Sequence, residues 1–159
     1  MSLCKHWRSG AFLDIVPREL NAKEQAKGLT LEDKAVRNRL VNDALGAAVK
    51  SNPAPLYDKA FASRITTGNL DDDLGKIAEV DWIIEVVIER LDIKQQLFEK
   101  VDALRKPGTL VTSNTSGIPI QMMSAGRSDD FQAHFCGTHF FNPPRYLKLL
   151  ELIPGPKNS

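Results

Sequence analysis

The hydrophobic residues of this chain fall into short apolar runs and into longer stretches with an apolar residue at every third or fourth position. The runs predict β-strands, and the spaced stretches predict amphipathic helices. The predicted strands are residues 11–16, 64–67, 80–88, 109–112, 136–141 and 147–153. The predicted helices are residues 31–50, 70–78 and 91–105, and a polar, helix-like stretch precedes the fifth strand. Strands and helices therefore alternate, which predicts an α/β fold with a doubly wound, mainly parallel sheet.

Residues 80–88 carry the strongest strand signal. They read VDWIIEVVI, an almost continuously apolar and β-branched run that is typical of a strand buried on both faces of a parallel sheet. The helix at 31–50 follows Thr30 and Asp33, which are spaced as in a capping box, and the helix at 91–105 ends at Pro107-Gly108. Ligands of such sheets bind beyond the carboxyl ends of the strands, so the polar residues there are the first candidates for a site.

Composition narrows the class of protein and its partners. A chain of 159 residues with 42% hydrophobic and 26% charged residues is long enough for one domain with a core of its own. With 21 basic and 20 acidic residues, the chain gives no reason to expect nucleic acid or a membrane surface as a partner. Two cysteines do not make a disulfide framework, and the first ten residues do not form a secretory signal, so we expect a cytoplasmic protein.

Candidate chemistry gathers in the last third of the chain. The string SNTS ends at Ser116, His139 lies in the apolar run 136–141 with Asn142 directly after it, and Glu151 lies within the last run. If the last two strands pair around residues 142–145, Glu151 falls nearly opposite His139 and orients the imidazole. A histidine, a carboxylate and hydroxyls so arranged suit proton transfer at an alcohol or ketone carbon. The alternative is a core histidine beside ordinary turn residues.

The strings SNTS, GTHFFNPP and LLEL resemble the NAD-binding domain of the 3-hydroxyacyl-CoA dehydrogenases, and the resemblance covers residues 12–154. It implies a Rossmann-like fold and the NAD-dependent oxidation of a 3-hydroxyacyl-CoA to a 3-oxoacyl-CoA in fatty-acid β-oxidation. The implied cofactor is NAD, the implied substrate is an acyl-CoA, and the implied assembly is a homo-oligomer. A further interpretation keeps the fold and changes the substrate to another small hydroxy acid.

The resemblance also implies roles for catalytic residues. His139 takes the proton from the C3 hydroxyl as hydride leaves C3 for the nicotinamide, and Glu151 orients the imidazole and stabilises its cation. Ser116 hydrogen-bonds the substrate beside the nicotinamide, and Asn142 holds the substrate carbonyl. Both residues are also expected to bind the cofactor.

Three further residues are expected to bind the cofactor. Asp14 ends a predicted strand, where an acid binds the adenosine ribose hydroxyls and repels the additional phosphate of NADP. By resemblance, Glu89 and Lys94 contact NAD. The alternatives are an aspartate favoured at a strand-to-loop junction and a solvated helix start.

The front of the chain departs from the family pattern. No G-x-G-x-x-G string precedes Asp14, so we expect the first strand, the glycine loop and the first helix of the domain to be missing. The expected organisation is a leader or irregular terminus at residues 1–10, an incomplete NAD-binding domain at 11–154, and the start of a linker to an absent helical domain at 155–159. Such a chain is expected to be weakly active or inactive by itself. The alternative is a non-catalytic fragment that self-associates through an exposed sheet edge.

The string H-x-C-x-x-H, formed by His134, Cys136 and His139, raises the question of a zinc site. On a strand His134 and Cys136 share one face while His139 points away, and no second group of ligands accompanies them. We therefore expect no metal.

Overall fold

The computed structural model describes residues 9–158, which divide into two compact units. Unit 1 comprises residues up to 74 together with 143–146, and unit 2 comprises 75–142 together with the residues from 147 onward. Most of the predicted leader at 1–10 lies outside the described residues, as does Ser159. Gly10 itself begins a strand, so the leader prediction is wrong at that residue.

Unit 1 is built on two parallel strands. Its elements are strand β1 (Gly10–Asp14), helices α1 (Ala22–Ala26), α2 (Lys34–Arg37) and α3 (Arg39–Lys50), a 3₁₀ helix (Lys59–Arg64) and strand β2 (Ile65–Asn69). Strand β1 places Asp14 at its carboxyl end, opposite Asn69, and helix α3 packs on both strands. The Asp14 carbonyl accepts a hydrogen bond from the Leu70 amide at 2.9 Å, so the acid predicted at a strand end does lie there.

Two local features of unit 1 differ from the sequence prediction. The connection before residue 28 contains helix α1, where Asn21 and Glu24 form a complete capping box. The predicted helix 31–50 is wrong in its continuity, because Asn38 separates α2 from α3. The Asn38 side chain is buried, and its oxygen accepts a hydrogen bond from the side-chain amide of Asn69 at 2.8 Å. Asparagine tolerates such a break because its short polar side chain competes with the helical backbone.

Unit 2 contains the larger sheet. Its elements are a 3₁₀ helix (Leu74–Glu79, of which Leu74 is counted with unit 1), strand β3 (Trp82–Glu85), helix α4 (Leu91–Leu104), strand β4 (Leu110–Ser113), helices α5 (Ile120–Ser124) and α6 (Asp129–Ala133), and strands β5 (Phe135–Phe140) and β6 (Leu150–Pro154). The strand order is β3-β4-β5-β6; the first three strands run parallel, and β6 runs antiparallel to β5. The α/β class and the mainly parallel pairing are therefore confirmed, although the described strands form two sheets instead of one.

The strand predicted at 80–88 is much shorter than its apolar run. Strand β3 stops at Glu85, because the Val87 amide donates to the Glu85 carboxylate at 2.6 Å and takes the backbone away from the sheet. Val86 and Ile88 are then 65% and 63% exposed, so burial on both faces is wrong for the end of the run. The short helix predicted at 70–78 is a 3₁₀ helix and spans only Leu74–Glu79.

The core of unit 2 is aromatic. Helix α4 directs Lys94, Phe98 and Val101 inward, at the spacing of one helical face. The ring of Phe98 lies 5.6 Å from that of Phe131 and 5.0 Å from that of Phe135, between centroids. No helix within residues 9–158 is both long and apolar enough to cross a membrane.

Candidate active site

His139 forms the centre of the candidate site, within unit 2. Strands β4 and β5 are parallel, so the loop after β4 and the end of β5 meet at one edge of the sheet. There the Ser116 hydroxyl lies 3.3 Å from Nε2 of His139. Strand β6 pairs Glu151 directly opposite His139, as predicted, and a Glu151 carboxylate oxygen lies 2.7 Å from Nδ1. The three side chains therefore form one hydrogen-bonded line.

The chemistry of these three side chains determines which atom donates and which accepts each hydrogen bond. An ionised carboxylate can only accept a hydrogen bond, so Nδ1 of His139 carries the proton that faces Glu151. The Nε2 lone pair then faces the Ser116 hydroxyl, which can donate to it. Ser116 is exposed, and the His139 side chain keeps 26% of its surface exposed, so a ligand can reach this edge of the imidazole. A ring held in this tautomer can take a proton at Nε2.

Asn114 and Asn142 lie near the same end of β5 and differ in role. The Asn114 side chain accepts a hydrogen bond from the Phe140 amide at 2.9 Å, which fixes the end of the strand next to His139. Asn142 is exposed and is available to a ligand. Asn114 therefore links the loop after β4 to the end of β5.

Behind this edge lies a buried ion pair between Glu85 and Lys94. Both side chains are 1% exposed, and Nζ of Lys94 lies 2.8 and 3.0 Å from the two carboxylate oxygens of Glu85. Glu85 also accepts from the Ser113 hydroxyl, since the parallel register sets Glu85 opposite Ser113 on one face. Nζ further contacts the Val87 carbonyl at 3.4 Å. Lys94 is thus not part of a solvated helix start, and most of its donors are already bonded.

Glu89 connects this ion pair to the Ser116 loop. One of its carboxylate oxygens accepts hydrogen bonds from the Thr115 hydroxyl and from the amides of Ser116 and Gly117, at 3.2 and 3.1 Å for the amides. The other oxygen lies 3.5 Å from Nζ of Lys94. Partial burial acts to raise the pKa of Glu89, but these hydrogen bonds and the Lys94 charge outweigh it, and the pKa is lowered overall. Glu89 is therefore a carboxylate held in its ionised form.

Asp14, the predicted ribose-binding acid, belongs to unit 1. Its carboxylate accepts a hydrogen bond from the Ile15 amide at 2.7 Å through one oxygen. The side chain is half-buried at the carboxyl end of a parallel strand, and its second oxygen has no partner within residues 9–158. A carboxylate in this setting has the acceptors that a pair of ribose hydroxyls requires, so the residue fits the expected contact with NAD.

The members of the H-x-C-x-x-H string have separate surroundings. His134 ends helix α6, and its Nδ1 lies 2.8 Å from the Asp130 carbonyl oxygen. Burial raises the pKa of the Cys136 thiol, which disfavours the thiolate that binds metals. No three His, Cys, Asp or Glu side chains within residues 9–158 are grouped as a metal site requires.

Ser113, Thr115 and Glu85 are not among the site residues predicted from the sequence. The structure gives all three partners in one network. A usable signal was present in the chain. Lys94 lies on the same helical face as Phe98 and Val101, and Glu85 lies in the preceding apolar strand. The spacing thus marks both residues as candidates, but the burial of Lys94 depends on a partner that only folding brings close.

Comparison with known sequences identifies the family to which this chain is similar. The family described as 3-hydroxyacyl-CoA dehydrogenase, NAD binding domain, matches residues 20–159. A probable 3-hydroxyacyl-CoA dehydrogenase of Bacillus subtilis (strain 168) is 57% identical over 142 residues, which are 89% of this chain and 18% of that protein. A protein of the same name from Deinococcus radiodurans is 49% identical over 131 residues, 82% of this chain and 38% of that protein. The chain spans less than two fifths of the length of either relative.

Solved structures give the same fold. A crystal structure of (S)-3-hydroxybutyryl-CoA dehydrogenase from Ralstonia eutropha matches with a TM-score of 0.61 and 28% identity, over 95% of this chain and 47% of that one. The 3-hydroxybutyryl-CoA dehydrogenase of Escherichia coli K12 matches with a TM-score of 0.59 and 25% identity, over 89% of this chain and 27% of that one. The predicted Rossmann-like fold is confirmed by these matches.

The buried ion pair leads to a prediction about stability. Replacing Lys94 with methionine preserves the length of the side chain but leaves the Glu85 carboxylate buried without its cation. We expect Lys94→Met to lower the free energy of unfolding by about 3–5 kcal/mol. The double variant E85Q/K94M should recover more than half of that loss, because a neutral amide needs no counter-ion. Urea unfolding followed by circular dichroism measures both.

The matched control is Lys100→Met, an exposed position on the same helix, for which we expect a change within about 0.5 kcal/mol. Equal unfolding free energies for K94M and K100M would show that the pair contributes nothing to the stability of this unit.

Proposed function

Because the chain belongs to the 3-hydroxyacyl-CoA dehydrogenase family, we propose that its Ser116, His139 and Glu151 serve the NAD-dependent oxidation of a 3-hydroxyacyl-CoA to a 3-oxoacyl-CoA. The observation that carries the proposal is the position of His139. One ring nitrogen contacts Glu151 and the other lies beside a hydroxyl at an exposed edge of the sheet. This is the geometry that removal of a proton from an alcohol requires.

The side chains divide the task at the substrate. The chemistry that NAD supplies is acceptance of the hydride from C3, with its electron pair. As the C3–H bond breaks, Nε2 of His139 takes the proton of the C3 hydroxyl, and the oxygen becomes a ketone. Ser116 holds that oxygen by a hydrogen bond, and Glu151 stabilises the imidazolium that forms. Asn142, exposed after β5, is suited to donate its amide to the acyl carbonyl.

The cofactor residues contribute in different ways. Asp14 accepts hydrogen bonds from the adenosine ribose, and its charge disfavours the additional phosphate of NADP. Glu89 is 45% exposed and can offer its carboxylate to the cofactor. Lys94 is 1% exposed and bonded to Glu85, so its contribution is through the charge it sets beside Glu89. Homo-oligomer formation and a cytoplasmic location stay predictions of the sequence.

The cofactor part of the proposal is tested by fluorescence titration of the purified chain with NADH and NADPH. We expect micromolar binding that favours NADH. Asp14→Asn should reduce the preference by about tenfold or more, because the repelling charge is lost; tenfold corresponds to about 1.4 kcal/mol. Asp43→Asn, at an exposed position of helix α3, is the matched control. No binding of either nucleotide, or a preference that Asp14→Asn leaves intact, would argue against the role of Asp14.

The proton-transfer part is tested by single-turnover reduction of acetoacetyl-CoA with NADH, with the protein in excess. We expect His139→Gln to slow the reaction by about 10²–10⁴-fold, the usual contribution of a general acid or base. His134→Gln should leave the rate near that of the unmodified chain, because the His134 ring bonds Asp130 of helix α6 and not Ser116 or Glu151. Similar rates for H139Q and H134Q would remove His139 from the mechanism.

A second candidate is self-association through a sheet edge. The observation that favours it is strand β6, which lies at the edge of the four-stranded sheet and is exposed along its length. Leu152 is 66% exposed and Ile153 40% exposed. An open apolar edge can pair with a second chain.

Light scattering after size exclusion tests this candidate. We expect an oligomer that Leu152→Lys converts to a monomer, because a charge on an edge strand opposes pairing. Leu104→Lys, on helix α4 at a residue that is 42% exposed, is the control and should not change the mass. A monomeric mass for the unmodified chain at all concentrations would count against edge pairing.

A further inference from the structure

The loop that carries Ser116 is bonded at residues 115–117 to the carboxylate of Glu89, which lies in the connection between strand β3 and helix α4. A single carboxylate oxygen receives the Thr115 hydroxyl and the amides of Ser116 and Gly117. Three donors on one acceptor leave that part of the loop few alternative conformations. Thr115 is buried, and its hydroxyl oxygen also accepts the Ile118 amide at 3.2 Å, so the turn is closed from within as well.

Glu89 is itself held from behind. Its second oxygen faces Nζ of Lys94, which the Glu85 carboxylate fixes in place. A cation in the first turn of helix α4 opposes the helix dipole, and two carboxylates close to Nζ compensate it. The order of contacts runs from the buried Glu85 through Lys94 and Glu89 to the loop.

We propose that Glu89 is a positioning residue for the reaction, one that fixes the loop at residues 115–117 so that the Ser116 hydroxyl stays beside Nε2 of His139. This inference rests on the proposed function, because that function gives Ser116 its task. It adds a role to Glu89 that does not depend on contact with a cofactor. Ser116 is exposed, and within residues 9–158 its hydroxyl bonds His139 alone, so the bonds from the Ser116 and Gly117 amides to Glu89 set its location.

The acceptor oxygen, and not the charge alone, is the feature that the loop needs. A glutamine at position 89 retains a carbonyl oxygen that can accept the same three donors. Alanine retains none. The two variants therefore separate positioning by hydrogen bonds from a role that depends on the charge.

The experiment uses nuclear magnetic resonance on the chain without substrate or cofactor. It follows the ring nitrogens of His139 and the amide exchange of Ser116 and Gly117. In Glu89→Ala we expect the two amides to exchange about tenfold faster or more, the factor of one hydrogen bond to a charged group. The Nε2 signal of His139 should shift as its contact with Ser116 is lost.

Glu89→Gln should stay within about threefold of the original exchange rates and keep the His139 signal. Thr115→Val should produce part of the increase in amide exchange that is expected for Glu89→Ala. This variant tests the proposal even if Glu89→Ala does not fold. Asp92→Ala is the matched control: this carboxylate lies in the first turn of the same helix and bonds Arg90 instead of the loop, so both signals should stay unchanged.

Unchanged amide exchange and an unchanged His139 signal in both Glu89→Ala and Thr115→Val would overturn the proposal. A loss of NADH affinity in Glu89→Ala with no change in these signals would overturn it too, because Glu89 would then act only by direct contact. Failure of the unmodified chain to bind NADH would affect the proposed function alone, since the loop signals are measured without a cofactor.

Discussion

The arrangement of unit 2 depends on a lysine and a glutamate that face each other in its buried interior. Burying either charge alone costs several kcal/mol, so Glu85 and Lys94 persist in the interior only because each compensates the other. The ion pair fixes the geometry of this region as well as contributing to its stability. It holds the end of strand β3 against the first turn of helix α4, and through the Ser113 hydroxyl it holds both against strand β4. The pair is thus a fixed point from which the loops at this edge of the sheet extend.

Solvent exposure increases from this pair towards the edge of the sheet. Glu85 and Lys94 are 1% exposed, Glu89 is 45% exposed, and Ser116 is exposed. The residues that position other residues are buried, where hydrogen bonds are strong. The residues that can contact a ligand lie at the exposed edge of the sheet. Ionic contacts at the surface contribute little by themselves, so a reactive line such as Ser116–His139–Glu151 needs support from inside. The loop bonds of Glu89 connect the two regions.

The antiparallel strand β6 makes the line possible. The strands before it run parallel and bring their carboxyl ends, with the loops that follow, to one edge. Reversing direction, β6 sets a carboxylate on the face that His139 occupies, because directly opposite residues of a pair share a face. Membership of the 3-hydroxyacyl-CoA dehydrogenase family agrees with a site at the carboxyl ends of an α/β sheet.

The sequence by itself determined the α/β class, helix α4, the carboxyl-end location of Asp14 and the pairing of His139 with Glu151, because periodicity and a short connection between strands are local properties. It did not determine the break at Asn38, the early end of strand β3 or the burial of Lys94. The break accompanies an amide contact with Asn69, which is distant in sequence, and the strand ends where a backbone amide turns to a carboxylate. Lys94 is buried because its partner, Glu85, lies on strand β3. Only the tertiary structure decides these features, because each depends on whether folding brings a polar group close to a partner that can replace water.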